Sequence, residues 1–230
     1  MNPLITLRVP ATSANLGSGF DAIGMAVSLY NIFKVMELLP EGEFKIDAQG
    51  EGSRELSEPK ANLVIESYIR TCERWGVRGP GFSLWCHNII PLCRGLGSSA
   101  GAVVAGVLIA KHLTGYNADK EELLRSMTVI EGHPDNVAPC FLGGMVVSCW
   151  DGHDLRYVNL PALPPEVLCV VAVPDEKVRT ADARNALPKE VPFEDAVFNL
   201  GRAALLTAAW ATGKWDYLKW GMDDKLHQPY

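Results

Sequence analysis

The sequence predicts a mixed α+β fold in two units, and three observations carry that expectation. Runs rich in β-branched and aromatic residues alternate with segments whose apolar residues recur every three to four positions. A glycine- and serine-rich turn, PLCRGLGSSAG at residues 91–101, joins a strand-like run to a helix-like one. A proline-bearing polar stretch at 151–167 marks a boundary, placing one unit at residues 1–160 and a second at 161–230.

In chain order, LITLRV (4–9) and VSLYNIFKVMEL (27–38) read as strands, with PATSANLGSGFDAIG as a polar loop between them. EGEFKIDAQGEG is a further strand bounded by turns. NLVIESYIRTCERWG has apolar residues at 63, 64, 65, 68, 69 and 72, the recurrence of a helix closed by Gly76. FSLWCHNIIP is a strand stopped at Pro91. Ala100, Val103, Val104, Val107, Leu108 and Leu113 then follow a helical period up to Gly115. Asp119, with Glu122 three residues on, forms a capping box for the helix EELLRSMTVIEG. FLGGMVVSCW is a strand beginning at paired glycines. The second unit reads as a strand, VLCVVAV, a loop, KVRTADARNALP, and one or two helices through FEDAVFNLGRAALLTAAWATG. That is too little to build a sheet covering those helices, so a truncated chain is expected.

Composition narrows the function. Hydrophobic residues make up 48% and charged residues 21%, which excludes disordered, collagen-like and coiled-coil classes. Twenty-one Lys and Arg against 27 Asp and Glu give a net charge of −6, with no basic run, so no nucleic-acid partner is expected. A small anion remains possible, because a cradle of backbone amides does not depend on net charge. The six cysteines form no CxxC pair and sit mostly in apolar stretches, predicting buried, reduced thiols and a cytoplasmic protein. No signal peptide or membrane span is expected.

The glycine-serine turn points the free N–H groups of a following helix at whatever it holds, and phosphate is the natural guest. Ser98 and Ser99 add hydroxyls for phosphate or a metal. The GxxxxGK[ST] loop is excluded, since Ala102 follows Gly101 where a lysine is required. Gly95-Leu96-Gly97-Ser98-Ser99-Ala100 satisfies GxGxxG/A, but no strand follows the helix, which makes a dinucleotide fold the weaker reading.

PLCRGLGSSAG closely resembles the phosphate-binding motif PxxxGLGSSA of the GHMP kinases, in the same position after a strand and before an apolar helix. VPATSANLGSGFDAIGMAVSLYN, EGHPDNVAPCFLGGMVVS and KVRTADARNALP resemble three further motifs of the homoserine kinases within that family, with Ser18 where proline is common. The resemblance implies a ribosomal-protein-S5-domain-2-like N-terminal domain followed by a ferredoxin-like C-terminal domain, here truncated. It implies Mg²⁺- and ATP-dependent phosphorylation of the hydroxyl of L-homoserine, on the path to threonine, in a chain able to form a homodimer.

By the same resemblance, ATP would lie on Pro91, Arg94, Gly95, Leu96, Gly97, Ser98, Ser99, Ala100 and Gly101, with Asn62 near the adenine. Ser98 and Glu131 would hold Mg²⁺, a hard ion that prefers oxygen. Homoserine, a zwitterion with a hydroxyl, needs a carboxylate, a cation and polar neighbours. Asp21 suits its ammonium, with Asn15 nearby; Arg184 suits its carboxylate; His133 and Asn136 line the pocket; and Thr180 lies close to the γ-phosphate. Asn136 stands where several relatives carry an aspartate base, which implies catalysis without a side-chain base. Asp135 is the alternative base.

Overall fold

The computed structural model describes residues 2–230 apart from 177 and 179. Strands β1 (Ile5–Ala14), β2 (Ile23–Leu39), β3 (Phe44–Gly50), β4 (Gly81–Asn88), β5 (Met145–Trp150) and β6 (Leu155–Asn159) form one sheet. Its order is β3-β4-β2-β5-β6, with β1 also paired to β2. All pairs are antiparallel except β3–β4. That parallel pair needs a crossover, which runs through the one-turn helix α1 (Ser53–Leu56) and then α2 (Leu63–Trp75).

Helices α3 (Ser98–Thr114), α4 (Lys120–Glu131) and α5 (Pro134–Leu142) complete the first unit and pack on one another, with α3 and α5 against β1. The short α6 (Thr180–Asn185), the long α7 (Phe193–Thr212) and the single turn α8 (Leu218–Gly221) follow. The principal core lies between sheet and helices, where Phe82, Leu84, Ile109, Leu124 and Met127 are fully buried. Each contributes roughly 1.5–3 kcal/mol by burial. A smaller cluster of Ile23, Met145, Leu206 and Trp210 joins α7 to the sheet. No helix among the described residues is long and apolar enough to cross a membrane.

The predicted helix limits hold. Asn62 and Asp119 cap α2 and α4 with side-chain oxygens on the N–H groups of Val64 and Glu122, and Gly76 and Gly115 close α2 and α3.

Four expectations are corrected. The loop expected at 10–24 is half strand, because β1 runs on to Ala14 and β2 begins at Ile23, which confines the turn to residues 15–22. The stretch read as a boundary contains β6, which pairs with β5 and extends the first sheet. VLCVVAV forms no strand among its described residues; Leu168 and Val170 are 82% and 91% exposed. Its composition suits a strand, but no strand among the described residues offers it a ladder. Finally, only Cys72, Cys86 and Cys140 are buried, whereas Cys93, Cys149 and Cys169 are exposed, all six being free thiols.

Helix α5 has no counterpart in the sequence reading, since nine residues containing Pro134 and Pro139 carry little helical signal. Its seat is prepared by Gly24 on β2: a Cβ there would stand 1.7 Å from the Asp135 carbonyl oxygen. Only glycine lets the helix approach so closely.

Candidate active site

The glycine-serine turn is held at both ends by buried polar groups. Asn31 on β2 and Asn88 at the end of β4 are 1% and 3% exposed, and the Asn31 amide nitrogen donates to Asn88 Oδ1. Asn31 Oδ1 accepts from the N–H groups of Ile89 and Ile90 at 2.8 and 3.0 Å, and Asn88 Nδ2 donates to the Glu51 carbonyl at 3.0 Å. The strand therefore enters the turn along a fixed path. At the exit, the Thr12 N–H donates to the Leu96 carbonyl at 3.1 Å.

Gly97 precedes α3 with φ +62° and supplies no side-chain cap. The first N–H groups of α3 thus face the turn together with the positive end of the helix dipole, a site suited to an anion.

Opposite the turn, α4 delivers Glu131 at its last residue. Ser99 Oγ donates to Glu131 Oε1 at 2.9 Å, while Ser98 Oγ faces Asn88 Oδ1 at 3.5 Å. The hydroxyl that meets Glu131 is therefore that of Ser99. Burial pushes the Glu131 carboxyl above its ordinary value and outweighs the opposing hydrogen bond from Ser99. These oxygens beside the anion cradle are the donor set a hard divalent ion takes.

The start of α5 presents His133, Asp135 and Asn136. His133 Nδ1 bonds to Asp135 Oδ1, while Asp135 Oδ2, fully enclosed, has no hydrogen-bond partner among the described residues. Burial disfavours the imidazolium, but the hydrogen bond and charge of Asp135, with Glu131 adding to it, raise the His133 pKa. Asn136 Oδ1 accepts from Thr12 Oγ1 at 2.8 Å.

The turn after β1 carries Asn15 and Asp21, both in the left-handed region at φ +56° and +54°. Asn15 Oδ1 accepts the Asp21 N–H at 2.8 Å, stabilising a conformation that few residue types tolerate. Asp21 and Arg184 on α6 form a two-point ion pair at 2.5 and 3.0 Å. Asp21, His133 and Asp135 each offer an oxygen or nitrogen within 4.8 Å of the others.

These groups surround one cavity of about 820 Å³. Its lining includes Asn15, Asn62, Pro91, Arg94, Gly95, Leu96, Gly97, Ser98, Ser99, Glu131, His133, Asn136, Thr180 and Arg184. Of the remaining candidates, Asp21 reaches it through Arg184, and Ala100 and Gly101 are buried in the first turn of α3. Both amide atoms of Asn62 are engaged, one capping α2 and the other on the Leu56 carbonyl. Lys177 and Arg179, from the segment KVRTADARNALP, lie outside the described residues.

Thr12, Asn31 and Asn88 were not singled out from the sequence. For the asparagines a weak signal existed: each stands next to apolar residues in or at the end of a strand-like run, and a buried amide needs partners that define a local structure.

The model of the GHMP kinases N terminal domain matches residues 62–144. A homoserine kinase of Carboxydothermus hydrogenoformans is 47% identical over 228 residues, covering 99% of this chain and 73% of the relative. One from Symbiobacterium thermophilum is 41% identical, covering 99% and 72%. The crystal structure of homoserine kinase from Cytophaga hutchinsonii superposes with a TM-score of 0.81 at 30% identity, over 100% of this chain and 74% of that one. An L. major mevalonate kinase in complex with R-mevalonate shares the fold, with a TM-score of 0.68 at 16% identity.

Proposed function

The chain belongs to the homoserine kinases of the GHMP kinase family, and we infer that it transfers the γ-phosphoryl group of ATP to the side-chain hydroxyl of L-homoserine, a step of threonine biosynthesis. The observation that carries this reading is the meeting, in one cavity, of an anion cradle with the Asp21–Arg184 pair. An amino-acid zwitterion offers an ammonium to the first partner and a carboxylate to the second, so it replaces one internal ion pair with two external ones.

In the reading we favour, residues 91–101 carry the phosphates of ATP, and the apolar lining by Leu56, Leu63 and Leu92 receives the base near Asn62. Glu131 with the Ser98–Ser99 pair would hold Mg²⁺, which supplies charge neutralisation on the phosphates. The homoserine oxygen bonds to the γ-phosphorus as the bond to the β–γ bridging oxygen breaks. ADP leaves, and the hydroxyl proton passes to a phosphoryl oxygen or to solvent. Asn136 cannot accept that proton usefully, so the site works by positioning and by donors around the phosphoryl oxygens, among them the α3 N–H groups and Thr180. Asp135 lies behind His133 and is read as its orienting partner; retention of most turnover by Asp135→Asn would dispose of it as the base.

The finer architecture we propose is an S5-domain-2-like unit over residues 1–160 and a ferredoxin-like unit begun by 161–230, in a cytoplasmic protein able to form a homodimer.

The test is ADP release with Mg²⁺ and ATP, comparing homoserine, mevalonate and no acceptor. Release that depends on homoserine is expected; release driven by mevalonate instead, or none, would overturn the reading. Asp21→Asn should raise KM for homoserine about tenfold to a hundredfold, the value of a charge-assisted contact, and leave KM for ATP within about twofold.

A further inference from the structure

Thr12 touches both halves of the cavity wall. It lies on β1, opposite Ala26 of β2, and is wholly buried. Its N–H holds the Leu96 carbonyl of the glycine-serine turn at 3.1 Å, and its hydroxyl donates to Asn136 Oδ1 at 2.8 Å. The three groups are in close contact: a Cβ on Gly97 would fall 1.9 Å from Thr12 Oγ1 and 3.0 Å from Asn136 Oδ1.

The direction of the hydroxyl bond has a consequence. An asparagine amide has an accepting end and a donating end, and whichever end is tied down decides what the other offers. With Oδ1 engaged by Thr12, the NH₂ group is the end left to bond a ligand in the cavity that Asn136 lines. In the reverse orientation the amide would donate to Thr12 Oγ1, and the buried hydroxyl would lose the acceptor it now uses. Leaving a buried hydroxyl without its acceptor is costly, which favours the amide orientation seen.

We propose that Thr12 is a positioning residue for phosphoryl transfer: its hydroxyl fixes the Asn136 amide with the NH₂ aimed at the transferring phosphoryl group, and its backbone N–H sets the phosphate cradle at a matching distance. The inference rests on the functional reading above. It assigns Asn136 the part of a neutral donor, and it explains how a residue 124 positions away along the chain governs that part.

Thr12→Val keeps the shape and the backbone N–H but removes the hydroxyl donor; Thr12→Ser keeps the donor. If the valine chain does not fold, Thr12→Ala removes the same donor with a smaller side chain. The first readout is the Asn136 side-chain amide in chain labelled with ¹⁵N-asparagine, its resonances assigned by their loss in Asn136→Ala. Thr12→Ser should leave them in place, and Thr12→Val should shift them.

The second readout is turnover. Thr12→Val should lower kcat about tenfold to a hundredfold, with KM for ATP within about twofold, because only the orientation of a catalytic contact changes. In an Asn136→Ala background the same change should lower kcat no further. Unshifted Asn136 resonances in Thr12→Val, or losses in kcat that multiply between the two sites, would overturn the proposal. If the unmutated chain turns over no homoserine, the functional reading fails, and the amide resonances alone decide the role of Thr12.

Discussion

Glu131→Gln is expected to lower homoserine-dependent turnover by about a hundredfold to a thousandfold while raising the melting temperature at neutral pH. The two effects share one cause. Burial lifts the Glu131 carboxyl above its ordinary 4.5, the Ser99 hydroxyl recovering only part of the loss. A carboxyl raised by folding binds its proton more tightly in the folded chain than in the unfolded one. Stability contributed by Glu131 therefore falls as pH climbs from 4.5 toward the raised value, and above that value the ionised group is a standing cost. Glutamine removes that cost and can still accept the Ser99 hydrogen bond, but it gives up the negative charge that holds a divalent ion. Melting curves across pH check the first effect: the advantage of the glutamine variant should open as pH rises through this window and vanish below it. Titration of ATP turnover with Mg²⁺ checks the second. A glutamine variant with unimpaired turnover would remove Glu131 from the site.

Gly97→Ala is expected to destabilise the chain by about 2–4 kcal/mol, combining overpacking with a left-handed backbone that alanine resists. For a chain of this size the melting temperature should fall by roughly 5–15 °C. The added Cβ would stand 1.9 Å from Oγ1 of Thr12, a residue that is wholly buried. Either β1 or the start of α3 must move, and both carry the phosphate cradle, so affinity for ATP should fall at least about tenfold. Gly95→Ala is the control. At Gly95, φ is +71° and a Cβ meets nothing within 4 Å, so only backbone strain of about 1–2 kcal/mol applies. Equal losses of nucleotide affinity in the two variants, read by isothermal titration with ATP, would show that strain and not the Thr12 contact governs the turn.

Much of the site was legible as motifs. PLCRGLGSSAG follows β4 and runs into the first turn of α3, and Asn15, His133, Asn136, Thr180 and Arg184 meet in the cavity it borders. Pairing within the site was less legible. Ser98 and Ser99 are adjacent in the sequence, and only the rotation of the first turn of α3 turns Ser99 to Glu131 and Ser98 to Asn88. Asp21 and Arg184 were read as separate grips on a substrate, and the fold brings them into contact across 163 residues.

The sequence by itself determined what depends on a few neighbouring residues. Asp119 reaches the Glu122 N–H three residues away, Gly76 closes α2 within its own last turn, and a glycine-serine turn before an apolar helix offers free N–H groups wherever the chain carries it. The tertiary structure decided whatever needs a partner far along the chain. VLCVVAV has strand composition but no ladder to join, whereas the polar-flanked LRYVN does pair, because β5 lies beside it. Asn31 is paired with Asn88, and Thr12 with Asn136, only because strand register and the seat of α5 on Gly24 bring them within hydrogen-bond reach. A cap or a turn is a contact between near neighbours, but a buried side-chain hydrogen bond exists only after the whole sheet has set its register.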